Sequence, residues 1–200
     1  MSPRIIAGSV GGRRLAVVPG RSTRPTSDRA REGLFATVEA IRGGLTGAAV
    51  LDLYAGSGAV GLEALSRGAT DVLLVESDTR AAQVIRANIE ALGLPGARVV
   101  NATVARALAA GPPQQRQRDF VFADPPYRVG DEELTTTLTA LMLGWLAPGA
   151  LVAVERATRS GAPTWPPGYE PDRSRRYGEA TVWYGLAAGV RPAAMSPTGE

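Results

Sequence analysis

Two short stretches of the sequence carry residue types suited to chemistry. The first is Val50-Leu51-Asp52-Leu53-Tyr54-Ala55-Gly56-Ser57-Gly58-Ala59-Val60-Gly61. An apolar run fit for a buried parallel strand breaks at small residues and resumes as a helical pattern from Ala59 to Leu65. Such a strand-to-helix turn aims backbone N–H groups and a positive helix end at a ligand. Tyr54, Ala55, Gly56, Ser57 and Gly58 are therefore candidate cofactor contacts. Gly56, Gly58 and Gly61 also satisfy the dinucleotide fingerprint, and Glu76, followed by Ser77, stands where a ribose diol would be bound. Both NAD and S-adenosylmethionine (SAM) carry that diol. Asp52 separates them, because an acid before the turn sits badly beside a pyrophosphate yet suits the ammonium of a methionine. The chain also has no histidine and no lysine, two common proton donors of nicotinamide dehydrogenases. These residues favour SAM over NAD.

The second stretch is Asp124-Pro125-Pro126-Tyr127, which follows the apolar run Phe120 to Ala123. An exocyclic base amine is a poor nucleophile, since its lone pair is delocalised into the ring. As it attacks a methyl group, positive charge grows on nitrogen, and fixed acceptors at its N–H groups stabilise that charge. The Asp124 carboxylate and the Pro125 carbonyl can serve, with Pro125 and Pro126 fixing the turn. Tyr127 offers a stacking face for a base that is flipped out or unpaired. Behind a glycine-rich cofactor turn, this tetrapeptide predicts amine methylation. It leaves guanine N2, adenine N6 and cytosine N4 open.

The elements that must position these stretches are legible in order. Arg4–Gly8 and Arg14–Val18 flank Gly11-Gly12 as a hairpin signal, and a proline-containing link spans Pro19–Pro25. Thr26 or Ser27 can cap a helix running to about Arg42. Strands are predicted at 50–53, 71–76, 98–101, 119–123 and 150–155. They alternate with helices at 59–67, 79–92, a short one through Arg106, and about 132–145. That alternation means a parallel sheet with right-handed crossovers. Arg173–Tyr177 and Ala180–Leu186 then predict an antiparallel hairpin on the sheet edge. The fold class is thus α/β, a Rossmann-like sheet of the SAM-dependent methyltransferase type. The domains expected are a basic N-terminal hairpin and link at 1–25, a methyltransferase domain at 26–187 and a disordered tail at 188–200.

Composition narrows the functions. Two hundred residues suit one α/β domain with a small appendage. Without cysteine there is no disulfide, thiolate metal site or cysteine nucleophile, which disfavours C5 methylation of pyrimidines. Without lysine a Walker P-loop is excluded. No apolar run approaches a membrane span and no secretory signal core is visible, so a cytoplasmic monomer is expected. The net charge of +3 hides an asymmetry: residues 1–31 carry seven arginines against Asp28, while the remainder is net acidic. A basic arm predicts phosphate contacts from Arg4, Arg13, Arg14, Arg24, Arg29 and Arg31. Arg24 and Arg31, near the start of the first helix, are alternatively placed to organise the active-site rim or to pair with Glu32 and the body.

Arg4-Ile5-Ile6-Ala7-Gly8, Arg24-Pro25-Thr26 with Asp28-Arg29 and Arg31-Glu32, and Leu34-Phe35 resemble the 16S rRNA guanine-N2 methyltransferase family known as RsmD. So do Leu51–Gly61 with Leu62–Ala69, and Asp124–Tyr127. The resemblance covers about residues 4–187. It implies SAM-dependent methylation of one guanine N2 in small-subunit rRNA, within an assembled or assembling particle. It places SAM on Asp52, Gly56, Gly58 and Glu76, and the base at Asp124–Tyr127. Ala102 and Thr103, in a variant stretch after the third strand, stand where the adenine contacts fall. The alternatives are a DNA adenine-N6 methyltransferase, for which the chain has no room for a separate sequence-reading domain, and a non-catalytic RNA-binding module on the same fold.

Overall fold

The computed structural model describes residues 2–18 and 28–188. The link at Pro19–Pro25, the caps Thr26 and Ser27, Arg24 and the tail beyond Ala188 lie outside the described residues. Among the described residues, five α-helices, α1 (Asp28–Arg42), α2 (Ala59–Ser66), α3 (Thr79–Leu92), α4 (Val104–Ala109) and α5 (Asp131–Met142), surround seven strands. The strands are β1 (Ala49–Leu53), β2 (Asp71–Glu76), β3 (Ala97–Asn101), β4 (Arg118–Ala123), β5 (Leu146–Ala157), β6 (Tyr169–Tyr177) and β7 (Ala180–Ala187). They form one sheet in the order β3-β2-β1-β4-β5-β7-β6. Strands β1 to β5 are parallel, and β7 runs antiparallel between β5 and β6.

Both faces of the sheet are covered, so β1 and β2 are buried along their whole length rather than alternating with polar residues. The alternation instead divides two cores. Val50, Leu74, Phe122 and Ala153 pack under α1, α2 and α3, while Leu51, Val75, Val121 and Val152 pack under α4 and α5. Helix α2 is buried on nearly every side, from Val60 to Ser66. A helix without a solvent face must have something beyond it. Here that is the N-terminal segment.

The segment folds back around Gly11-Gly12 as an irregular hairpin, with Ile5 N donating to the Arg13 carbonyl and Leu15 N to the Pro3 carbonyl at 2.8 Å each, but without two regular strands. Arg4 and Arg14 form a single isolated bridge, and the chain around it is anchored to α2. Buried Glu63 accepts the backbone N–H groups of Ile6 at 2.6 Å and Ala7 at 3.0 Å, and pairs with Arg67. Ser66 accepts from Val10 N and donates to the Ala7 carbonyl. Ile5 and Leu15 then enter the α1–α3 core. The segment owes its shape to the body, as expected for a piece too small to bury its own core.

Other boundaries shift for local reasons. Helix α5 stops at Met142, not Trp145, because Gly144 turns at positive φ and carries Trp145 into the core, where its indole N–H donates to the Leu108 carbonyl. Strand β5 therefore begins at Leu146, paired with Arg118. Strand β6 begins at Tyr169 and passes Pro171, which an edge strand tolerates at the register shift between Pro171 and Arg173. No described helix is long and apolar enough to cross a membrane.

Replacing Glu63 with alanine leaves the N–H groups of Ile6 and Ala7 without their acceptor. Lost hydrogen bonds to a buried charge predict a destabilisation of about 3 kcal/mol, or a fall of about 6–12 °C in Tm for a chain this long. Calorimetry and amide exchange at Ile6 and Ala7 check this. An unchanged Tm with protection retained at both amides contradicts it.

Candidate functional site

Strands β1 and β4 are neighbours in the sheet although the connection from β1 leads away to β2 and β3. Their carboxyl ends meet at the switch point of the sheet, where open α/β folds bind ligands. A cavity of about 1180 Å3 opens there. It gathers Asp52, Tyr54, Ala55, Gly56, Ser57, Glu76, Ser77, Ala102, Thr103 and Asp124 to Tyr127 in one wall system. The two stretches singled out in the sequence thus share one site.

The glycine turn is held from both sides by carboxylates. Asp52, 2 % exposed, accepts the Gly61 N–H at 2.8 Å and so ties β1 to the first turn of α2. Glu76 accepts the Gly56 N–H at 2.8 Å through one oxygen and the Asp78 N–H at 2.7 Å through the other. Gly56 has φ 58° and Gly58 φ 78°, which explains glycine at both places. Gly58 does not line the cavity; it is buried beneath the turn, and a Cβ there would lie 3.0 Å from Leu74. Tyr54 reaches φ 61° without being glycine, and burial raises its phenol pKa while the Thr137 hydroxyl bonds to it. A non-glycine residue at such a φ is strained, a feature that gathers at binding sites.

The third wall is acidic. Asp52 points to the α1–α3 face, as its bond to Gly61 requires, and Glu155 follows Ala153 on that same face of β5. Asp124 stands one residue beyond β4, close to both. Burial first, then Glu155, then Asp52 raise its pKa well above the carboxylate range. Burial likewise raises Asp52 from 3.8 to about 7, opposed by the Gly61 hydrogen bond and reinforced by Glu76. Desolvated acids in mutual repulsion favour a cationic ligand, whose charge would lower both values. Tyr127 is 76 % exposed at the mouth, with the Arg159 guanidinium 5.9 Å from its ring. The guanidinium stands over one face of the ring, and most of the side chain faces solvent.

Ala102 and Thr103 lie beside the end of β2, where Ala102 N donates to the Glu76 carbonyl and Thr103 caps α4 through Arg106 N. The basic residues disperse. Arg4 pairs with Asp28 at 3.3 Å, Arg13 donates to the Ala91 carbonyl, and Arg14 and Arg29 are exposed. None of these four lines the cavity. Arg31 does, and its side chain is fully buried, so it lies beneath the surface that a backbone phosphate would touch.

Four contributors were not singled out from the sequence. Glu155 is an acid at a strand's carboxyl end, a detectable signal. Asn88 interrupts the apolar stripe of α3 three residues after Ile85, and its amide bridges Ala16 to the Ser57 carbonyl at 3.1 Å. It fastens the N-terminal segment to the glycine turn. Val17 and Val18, which line the cavity through that segment, carry no local signal at all.

The family described as Conserved hypothetical protein 95 matches residues 3–185. The Ribosomal RNA small subunit methyltransferase D of Escherichia coli K12 is 41 % identical over 177 residues, covering 88 % of this chain and 85 % of that protein. The protein of the same name from Haemophilus influenzae is 37 % identical over 154 residues, 76 % and 77 % of the two chains. Among solved structures, Escherichia coli yhhF superposes with a TM-score of 0.82 at 36 % identity, over 94 % of this chain and 99 % of that one.

The raised acids make stability depend on pH. In the folded chain Asp52 keeps its proton up to about 7, whereas the unfolded chain loses it near 3.8. The folded state therefore binds more protons across that window, and stability falls as pH rises through it, by up to roughly 4 kcal/mol from this group, then levels off. Asp52→Asn should flatten the decline, measured by denaturant unfolding between pH 4.5 and 8. A slope unchanged by the substitution contradicts the assignment.

Proposed function

We propose that this chain, which belongs to the Conserved hypothetical protein 95 family, methylates the exocyclic N2 amine of one guanine in 16S rRNA. The coarser reading is that of the family: a SAM-dependent methyltransferase, with relatives named as small-subunit ribosomal RNA methyltransferases. The observation that supports methylation of an exocyclic base amine is the meeting of Asp124–Tyr127 with the glycine turn and Glu76 in a single cavity.

The residues present fit the cofactor. Glu76, at the end of β2, is suited to the ribose hydroxyls, because each carboxylate oxygen has a second lone pair beyond its backbone bond. Asp52 suits an ammonium group. When bound, SAM supplies a methyl group on a positively charged sulfur, which an amine lone pair can attack.

The chain's own residues do the rest. The Asp124 carboxylate and the Pro125 carbonyl accept the two N–H bonds of the target amine, and so hold its lone pair away from them. Prolines on either side of the acceptor keep the turn from relaxing during reaction. Tyr127 stacks on the displaced base, and its exposure at the mouth admits a nucleotide from outside. Deprotonated Asp124 is the working form, since only the carboxylate accepts at both oxygens. The raised pKa of that group in the ligand-free chain means that a cation in the cavity assists the acceptor as well. Guanine is favoured over adenine by the resemblance of the N-terminal signature, Arg4–Gly8 with Asp28-Arg29 and Arg31-Glu32, to the small-subunit rRNA guanine-N2 methyltransferase family. The N-terminal arginines Arg4, Arg13, Arg14 and Arg29 remain the surface assigned to rRNA phosphates, and an assembling or assembled small subunit is the substrate.

Two substitutions separate binding from chemistry. Glu76→Ala should weaken SAM by about 1.5–3 kcal/mol in calorimetry. Asp124→Ala should keep SAM affinity within a few-fold and slow methyl transfer to small-subunit particles by on the order of a hundredfold or more. Unchanged SAM affinity in folded Glu76→Ala, or full turnover in Asp124→Ala, contradicts the assigned roles.

A further inference from the structure

Arg31 is the first buried cation met on entering α1, and it lies in the wall of the cavity with Ala30, Val17 and Val18. Its side chain is 0 % exposed. One terminal nitrogen, Nη2, donates to the Arg4 carbonyl at 2.7 Å and to Asp28 Oδ1 at 2.7 Å. Nε and Nη1 have no hydrogen-bond partner among the described residues. A guanidinium carries five N–H donors, and leaving several of them unpaired away from water is costly. Burial already lowers its pKa against the pull of Asp28 and Glu63. Structural duty explains Nη2. It does not explain the other two nitrogens.

The surroundings state which charge would complete the group. Asp52, Asp124 and Glu155 line the same cavity as Arg31. A site with acids in one part and a buried guanidinium in another complements a zwitterion: an ammonium on the acids and a carboxylate on the arginine. We infer that Arg31 is the receptor for the α-carboxylate of the methionine moiety of SAM, so that the basic N-terminal segment closes the cofactor site through Arg31 and its bond to Arg4. The inference rests on SAM being the ligand of this cavity. An RNA phosphate is the other anion an arginine could take, but burial beneath the surface favours a small carboxylate held inside.

The test uses the full chain and two ligands, SAM and decarboxylated SAM, which keeps the sulfonium, ribose and amine but lacks the carboxylate. Calorimetry on the wild type should give SAM roughly 10- to 100-fold tighter than its decarboxylated form. Arg31→Met, which keeps the packing volume, should lose that factor for SAM alone and abolish the preference. Arg31→Lys, which retains a cation for Asp28 and the Arg4 carbonyl, should keep part of the preference, and it decides the matter if the methionine variant does not fold. Equal losses for both ligands would mean a merely structural arginine. A wild type that binds the two ligands alike, or an Arg31→Lys preference equal to that of the wild type, would also overturn the inference. Reduced affinity and salt slope for rRNA with unchanged SAM binding would assign Arg31 to phosphate instead. Failure of the wild type to bind SAM at all would strike the cofactor reading rather than the role of Arg31.

Discussion

The placement of an acid at the buried end of the central strand constrains most of this molecule. Asp52 sits where β1 meets the first turn of α2, and its bond to the Gly61 N–H fixes how the helix leaves the sheet. Close approach of α2 to β2 then requires Gly61, since a Cβ there would meet Leu74 at 2.9 Å. Removing a carboxylate from water is unfavourable unless hydrogen bonds or opposite charge compensate. A single backbone N–H compensates Asp52 only in part, and the nearby Glu76 adds repulsion rather than relief. The end of the sheet is therefore held in a form that is less stable by itself than with a cationic ligand. A cation bound against that wall would therefore stabilise the fold as well as be held by it.

The N-terminal segment is part of the same arrangement. Its backbone is captured by Glu63 and Ser66 on α2, and Asn88 on α3 joins it to Ser57 in the glycine turn. These three polar residues are buried. They set the position of a segment that has little secondary structure of its own. The segment and the glycine turn are thereby joined through α2 and α3.

The parts of the molecule that follow period and punctuation were legible in the sequence. The parallel strands read as apolar runs, α3 was legible over its whole length at 79–92, and the two motifs met at the sheet's switch point because topology rules bring strands one and four together. What escaped depended on partners distant along the chain. The start of β5 at Leu146 follows from pairing with Arg118, which no local propensity reports. The acid Glu155 needed the register of β5 against β4 before its closeness to Asp124 could be seen. For Arg31 the sequence left two places open, a phosphate contact in the basic arm or the active-site rim, and only its packing under the N-terminal segment separates it from Arg29, its exposed neighbour two positions away. Charge counted along a sequence does not distinguish a solvated arginine from a buried one.

The central claim is that this cavity methylates a guanine at N2 in the small-subunit rRNA. Small-subunit particles from cells lacking the methylation, incubated with the purified protein and methyl-labelled SAM, can be digested to nucleosides and separated with mass detection. The account predicts label in N2-methylguanosine, mapping to a single nucleotide of the 16S rRNA. Label in N6-methyladenosine, or particles left unlabelled by a protein that binds SAM, would contradict it.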